Sequence, residues 1–250
     1  MRILVSNDDG FLAPGLRTLI DAARQMTPDV WVVAPERKWT AASHQLSFDR
    51  VLTLRRAAER EYACSGAPAD CVVAAMTLLF AEDRSPDLVL AGLNDKINVA
   101  EDVAYSGTLA IAREATFWDI PAVSISRDAP VALAPADTDA IGKLLRVLWD
   151  GRSLWSGPGY WLSLNLPARL PAPLVQARVG RDKIGSECEI VESTEGCTSF
   201  RIARGRPGNQ TKGDERAVVA AGGIALVRHR WFTRAAIPRA TVQGWDRSLR

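Results

Sequence analysis

The chain has 250 residues, 47% of them apolar and 24% charged, with 31 basic and 29 acidic side chains that leave a net charge of +2. This is the composition of an ordinary globular protein of one large or two small domains. So small a net charge provides no global field to draw nucleic acid or an anionic membrane. No apolar stretch approaches the roughly 18 residues of a membrane span, and the run after Arg2 is too short for a signal-peptide core. Cys64, Cys71, Cys188 and Cys197 form no CxxC pair, so they read as reduced thiols of a cytoplasmic protein.

In chain order, Ile3 to Ser6 is a continuous apolar run of the kind buried on both faces in a parallel sheet. Leu16, Leu19, Ile20 and Ala23 recur at helical spacing and predict a helix over Gly15 to Met26. Val30 to Ala34 is a second buried strand, stopped by Pro35. Pro68 suits the first turn of a helix running to about Phe80. Leu88 to Ala91 predicts a strand, Thr108 to Thr116 a helix, and Ala122 to Ile125 a strand. Thr138 to Trp149 predicts a helix and Trp161 to Leu164 a strand. This alternation predicts an α/β fold, a Rossmann-like three-layer parallel sheet with helices on both faces. From about Ala168 the crossovers stop. Val175 to Val179, Ser199 to Ala203 and Ile224 to Val227 read as antiparallel strands or hairpins of an oligomerisation arm, followed by a helix from Pro238 to Leu249 anchored by Trp245. The expected organisation is one domain over 1–250, with a core at 1–167 and an arm and helix at 168–250.

Such sheets bind ligands beyond the carboxyl ends of their strands. Three polar loops are predicted there: Asn7-Asp8-Asp9-Gly10, then Arg37 to His44, then Asn94 to Asn98 continuing into Tyr105-Ser106-Gly107-Thr108. Adjacent carboxylates repel, and at least one titrates high unless a cation lies between them. Two histidines, His44 and His229, cannot build a multi-histidine zinc site, so an oxygen-held Mg, Mn or Ca ion, one per subunit, is expected. A hydroxyl of the second loop and the Asn94 amide oxygen would complete its shell. Ser106-Gly107-Thr108 opens a helix and offers free N–H groups, the positive end of the helix dipole and two hydroxyls, an anion site. Taken singly, each loop also has a plain structural explanation, as turn chemistry, a helix cap or packing of Trp39.

Met1 to Gly10 with Ala13-Pro14-Gly15, Val33 to Arg37, Thr40 to Leu46, Gly66 to Val72, Gly92-Leu93-Asn94 and Tyr105 to Ala110 together closely resemble the SurE family of stationary-phase survival nucleotidases. Leu162 to Pro167 fits as well. The resemblance implies a metal-dependent phosphomonoesterase acting on 5′- or 3′-nucleoside monophosphates. It implies metal ligation by Asp8, Asp9, Thr40 and Asn94, with Asp8 and Asp9 also catalytic. It implies phosphate contacts from Ser43, His44, Asn98, Ser106, Gly107 and Thr108, and a homodimer or homotetramer that exchanges its C-terminal arm. Four positions depart from the family pattern: Thr40 stands for the loop serine, keeping its oxygen but adding a methyl group, Ala41 replaces the glycine after it, and Lys96 and Ala100 replace two glycines of the third loop. If either of the last two needs a positive φ, the loop is strained by about 1 kcal/mol or more.

Other enzyme classes fit less well. A haloacid-dehalogenase site wants Asp-x-Asp, whereas these carboxylates are adjacent. A phosphorylation receiver is near half this length, and no GxGxxG follows any strand. The alternative that remains is a divergent relative that binds metal and nucleotide but turns over slowly or not at all.

Overall fold

Short β-branched and aliphatic runs alternating with amphipathic helices generate the fold, described here from a computed structural model covering residues 1–82, 84–127, 134–203, 205–232 and 237–248. The first half contains β1 (Ile3–Ser6), α1 (Pro14–Arg24), β2 (Val30–Pro35), β3 (Leu54–Ala58), β4 (Glu61–Cys64) and α2 (Pro68–Ala74). A π-helical turn, Ala75–Leu79, extends α2. Next come β5 (Leu88–Asn94), α3 (Asp102–Tyr105), α4 (Gly107–Phe117), β6 (Ala122–Arg127), α5 (Pro135–Asp150), α6 (Arg152–Trp155) and β7 (Tyr160–Leu166). The C-terminal part holds β8 (Leu174–Gln176), β9 (Cys188–Thr194), β10 (Cys197–Ile202), α7 (Glu215–Ala220), β11 (Ile224–Arg230) and α8 (Arg239–Ser248).

Nine strands form one sheet in the order β3-β4-β2-β1-β5-β6-β7-β11-β8. From β4 to β7 all neighbours are parallel, while β3 and β11 pair antiparallel with their inner neighbours. The parallel strands are buried on both faces, as their unbroken apolar runs require. Leu16, Leu19 and Ile20 of α1 and Ile141 and Leu145 of α5 cover one face; Val72 of α2 and Leu109 and Ile111 of α4 cover the other.

The C-terminal region departs from expectation in two ways, while its antiparallel hairpin is present as expected. β8 pairs parallel, not antiparallel, with β11, because Ile224–Leu226 has β7 on its other side and receives residues 174–176 in the same direction. β9 and β10 form a separate antiparallel hairpin whose residues are all exposed. Trp245, expected to anchor the helix, is exposed, and α8 buries none of its described residues. Leu249, its expected end, lies outside the described residues.

Candidate active site

The chain builds β2 and β4 on one side of β1 and then crosses to build β5, β6 and β7 on the other. The carboxyl ends of β1 and β5 therefore flank the topological switch point, where such sheets place their ligands. Asn7-Asp8-Asp9-Gly10 leaves β1 there, and Asn94-Asp95 leaves β5. Asn7 closes the first turn on itself: its amide donates to the Gly10 carbonyl at 3.0 Å and accepts from the Gly10 N–H at 3.2 Å. Gly10 has φ +107°, and a Cβ there would lie 3.2 Å from the backbone of Arg37. Only glycine meets both conditions without strain.

Asp8 is buried against the start of α4. Thr108 Oγ1 donates to Asp8 Oδ1 at 2.5 Å, and the Thr108 backbone N–H also donates to this carboxylate. Gly107 is the reason the helix can approach so closely: a Cβ there would fall 2.8 Å from Asp8 Cβ and 2.9 Å from Pro68 Cγ. Burial pushes the Asp8 carboxyl up to about 6; the Thr108 hydroxyl works against this and the charge of Asp9 adds to it.

Asp9 meets a cation supplied by the chain itself. Lys38 Nζ pairs with Asp9 Oδ1 and lies 3.0 Å from Asp95 Oδ2, while the Asp95 N–H donates to Asp9 Oδ2 at 3.3 Å. Partial burial acts to lower the Lys38 pKa, but the hydrogen bonds and charges of Asp9 and Asp95 outweigh it and hold the ammonium above its ordinary value. Asn94 completes the corner. Its Nδ2 donates to the Lys96 carbonyl at 2.5 Å, which turns Oδ1 toward Thr108 Oγ1 at 3.4 Å.

These donors fit a hard, oxygen-preferring divalent cation: two adjacent carboxylates and an amide oxygen oriented beside them. Among the described residues no group of three His, Cys, Asp or Glu could hold a metal, so neutral oxygens must complete the set.

The other expected site residues are distributed around this corner. Thr40 is exposed just beyond Trp39, whose N–H donates to the Asp8 carbonyl at 2.7 Å. The Trp39 ring is covered by the Arg37 guanidinium, 4.5 Å from its centroid. Ser43 fastens its loop to α3, donating from Oγ to the Ala104 carbonyl at 2.7 Å and from N–H to the Tyr105 carbonyl at 2.9 Å. His44 is held further along α4. Arg113 Nε donates to its Nδ1 at 2.9 Å, so Nε2 carries the proton that reaches Glu114 at 2.6 Å. Glu114 is six residues past Thr108, about 9 Å along the helix.

Asn98 is tied into a buried amide and hydroxyl network. Its N–H donates to Asn165 Oδ1 and its Nδ2 to Ser126 Oγ, both at 2.8 Å. Ser106 caps α4, accepting from the Leu109 N–H at 3.2 Å. The Thr108 hydroxyl donates to Asp8. Of the two lost loop glycines only Ala100 takes a positive φ, +56°; Ala41 does so as well, at +54°.

Three contributors were not singled out in advance. The Lys38–Asp95 pair depends on two loops meeting across β1, which no local pattern encodes. Pro68 packs on Gly107, and Asp70 fastens both the Ala67 N–H and Ser47 at the head of α2. A proline at the start of a helix with an acid two positions on was the available signal for the last of these.

Topology and acidic corner together define a Rossmann-like α/β protein with an oxygen-lined site at its switch point. The chain belongs to the SurE family: the family model for Survival protein SurE matches residues 3–186. It is 49% identical over 225 residues to the 5′-nucleotidase SurE of Methylorubrum extorquens (strain PA1), an alignment covering 84% of this chain and 87% of that protein. The protein of the same name from Paramagnetospirillum magneticum is 39% identical over 197 residues, 75% of this chain and 73% of that one. With the Methylobacterium nodulans protein the match is 50% over 127 residues, so there the chain spans about half the relative's length. The crystal structure of the SurE protein from Aquifex aeolicus superposes with a TM-score of 0.76 at 25% identity, covering 100% of this chain and 99% of that one.

Proposed function

We propose that this chain is a phosphoric monoester hydrolase, a metal-dependent nucleotidase releasing phosphate from 5′- or 3′-nucleoside monophosphates. The observation that carries this reading is the packing of Asp8, with Asp9 next to it in the chain, against the N-terminus of α4, where Gly107 is so close to Asp8 that no side chain fits between them. The family relatives named 5′-nucleotidase support it.

Asp8, Asp9 and Asn94 would hold the cation, with Thr40 brought in from the second loop. When bound, a divalent ion supplies positive charge at a phosphoryl oxygen and lowers the pKa of a coordinated water. The protein's own part is positioning. Thr108 fixes Asp8 with two donors, which leaves the Gly107 N–H and the helix dipole to receive a phosphoryl oxygen. Ser106 keeps the first turn closed. Ser43, His44 and Asn98 act by setting the loops that surround the substrate, since each side chain is engaged by a protein partner.

The same reading places the chain in the cytoplasm, consistent with four free cysteines. Among the described residues no helix is long and apolar enough to cross a membrane. It also makes the chain a homodimer or homotetramer. An isolated two-stranded hairpin is marginal in water, yet β9 and β10 expose Ile190, Val191, Phe200 and Ile202, an apolar surface suited to a second copy.

The test is phosphate release from nucleoside monophosphates with added Mn²⁺, with chelator, and with Asp9→Asn. Turnover is expected only with metal and should fall by about 10³-fold or more in the variant, whose circular dichroism should match that of the parent. Activity retained by Asp9→Asn overturns the assigned site. A slow, nucleotide-binding relative is the second reading, favoured by the strained Ala100 and Ala41; metal-dependent nucleotide binding without turnover would select it.

A further inference from the structure

We infer that Lys38 is a resident counter-ion that an incoming divalent cation must displace, so that this residue sets how tightly the chain takes metal. The inference rests on the metal reading above and concerns this chain's own lysine. Both oxygens of Asp9 are occupied in the folded protein: Oδ1 by the Lys38 ammonium and Oδ2 by the Asp95 N–H. The Asp9 side chain is only 8% exposed, whereas that of Lys38 is 48% exposed. The ammonium therefore reaches inward from the rim, with its stem in solvent. A cation that ligates Asp9 through Oδ1 takes the ammonium's position. The two cannot share it, because like charges at contact distance in a half-buried corner repel strongly.

Asp95 makes the displacement feasible. Its Oδ2 is 3.0 Å from Lys38 Nζ, and its side chain is 40% exposed against the 8% of Asp9. The lysine can give up Asp9 and keep Asp95, moving outward without losing its ion-pair partner. Lysine suits this exchange, since its charge is compact and its four-carbon stem flexible. The metal-free corner is thus stabilised by the group that opposes loading.

The test is direct titration of chelator-stripped protein with Mn²⁺, following free Mn²⁺ by electron paramagnetic resonance, which needs no turnover. Four proteins are compared: the parent, Lys38→Gln, Lys38→Arg and Asp9→Asn. Removing the resident charge should tighten Mn²⁺ binding by about tenfold or more. Lys38→Arg, which keeps the charge, should stay within a few-fold of the parent. Asp9→Asn should bind far more weakly than the parent. Mn²⁺ binding that depends on Asp9 but is unchanged or weakened in Lys38→Gln overturns the role of the lysine and leaves the metal site standing. Absence of Mn²⁺ binding in both the parent and Lys38→Gln overturns both.

Discussion

The two loops that flank the switch point solve the same problem in opposite ways. The corner after β1 is closed by sterics: Gly10 and Gly107 are positions where a Cβ meets backbone or Asp8 itself. The loop after β5 has lost its glycines and is held from outside. The Asn98 and Ala100 N–H groups donate to Asn165 and Glu215, residues of β7 and the first turn of α7. The Asp102 carboxylate, which caps the Val99 N–H, is gripped by Arg206 from the C-terminal segment. The first loop is therefore shaped by close steric approach at glycines, and the second by polar ties to partners roughly 65 to 115 residues away. Steric fit sets the shape of one, and hydrogen bonds and an ion pair set that of the other.

Gly107→Ala is the sharpest way to break the first loop. Its methyl would lie 2.8 Å from Asp8 Cβ, so either Asp8 or the helix must move. Stability should fall by about 1–3 kcal/mol, as for overpacking elsewhere. Phosphate release should drop about a hundredfold or more, because an ångström of misplacement at a reacting centre costs that much. Urea denaturation alongside single-substrate kinetics separates the two effects.

Asp8 carries a cost of its own. Its folded-state carboxyl titrates at about 6 against an ordinary value of 3.8, chiefly through burial. A group raised in the folded state binds its proton more tightly there than in the unfolded chain. The penalty is thus fully present above pH 6 and disappears as the pH falls toward 3.8. The difference between 3.8 and about 6 corresponds to about 3 kcal/mol, an upper figure for what Asp8→Asn should return to the metal-free protein at neutral pH. Asparagine keeps the acceptor for Thr108 Oγ1. Unfolding in chelator at pH 5 and 7.5 should show the variant gaining stability relative to the parent as the pH rises, because only the parent carries the Asp8 penalty. Equal pH dependence in the two would place the raised carboxyl elsewhere.

The first loop was legible in the sequence because an apolar run ending in Asp8-Asp9-Gly10 is a conflict visible in adjacent residues, even though its partners Lys38, Asp95 and Thr108 come from other loops. The parallel core was legible for the same reason: Val30–Pro35 and Leu88–Asn94 are unbroken runs that fit only a doubly buried strand. The β3–β4 hairpin escaped because its turn is Glu59-Arg60, with Arg60 at φ +59°, in place of a glycine or asparagine signal. Four of the five residues of β3 are also exposed, so it shows no buried face. Lys38 escaped because its meaning lies in the distance between loops from two strands separated by β1. The Val175 strand turned parallel because its direction is set by the long connection through α7, which single-sequence periodicity does not report.

Glu215→Ala would break the second loop's external support. Glu215 is buried and accepts from the Gly180 and Ala100 N–H groups, the first at 2.7 Å. Two orphaned donors should cost about 1–3 kcal/mol. If the β5 loop shapes the substrate site, KM should rise more than kcat falls. A loss confined to stability, with both constants intact, would separate this loop from substrate binding.

The smallest effect tests whether strain remains where glycine was lost. Ala41 is exposed with φ +54°, so its methyl contributes little packing while its backbone is held in the left-handed region. That conformation costs an L-residue about 1–2 kcal/mol. Glycine relieves it but adds unfolded-chain entropy worth about 0.5–1 kcal/mol. Ala41→Gly should therefore raise stability by about 0.5–1 kcal/mol, a Tm increase of roughly 1–4 °C for a chain of this size. The same change at Ala100 should gain less, because its buried methyl is lost as the strain is relieved. A larger gain at Ala100 than at Ala41 would mean that the contacts reaching the β5 loop from Glu215 and Asn165 force its shape on the chain and do not merely accept it.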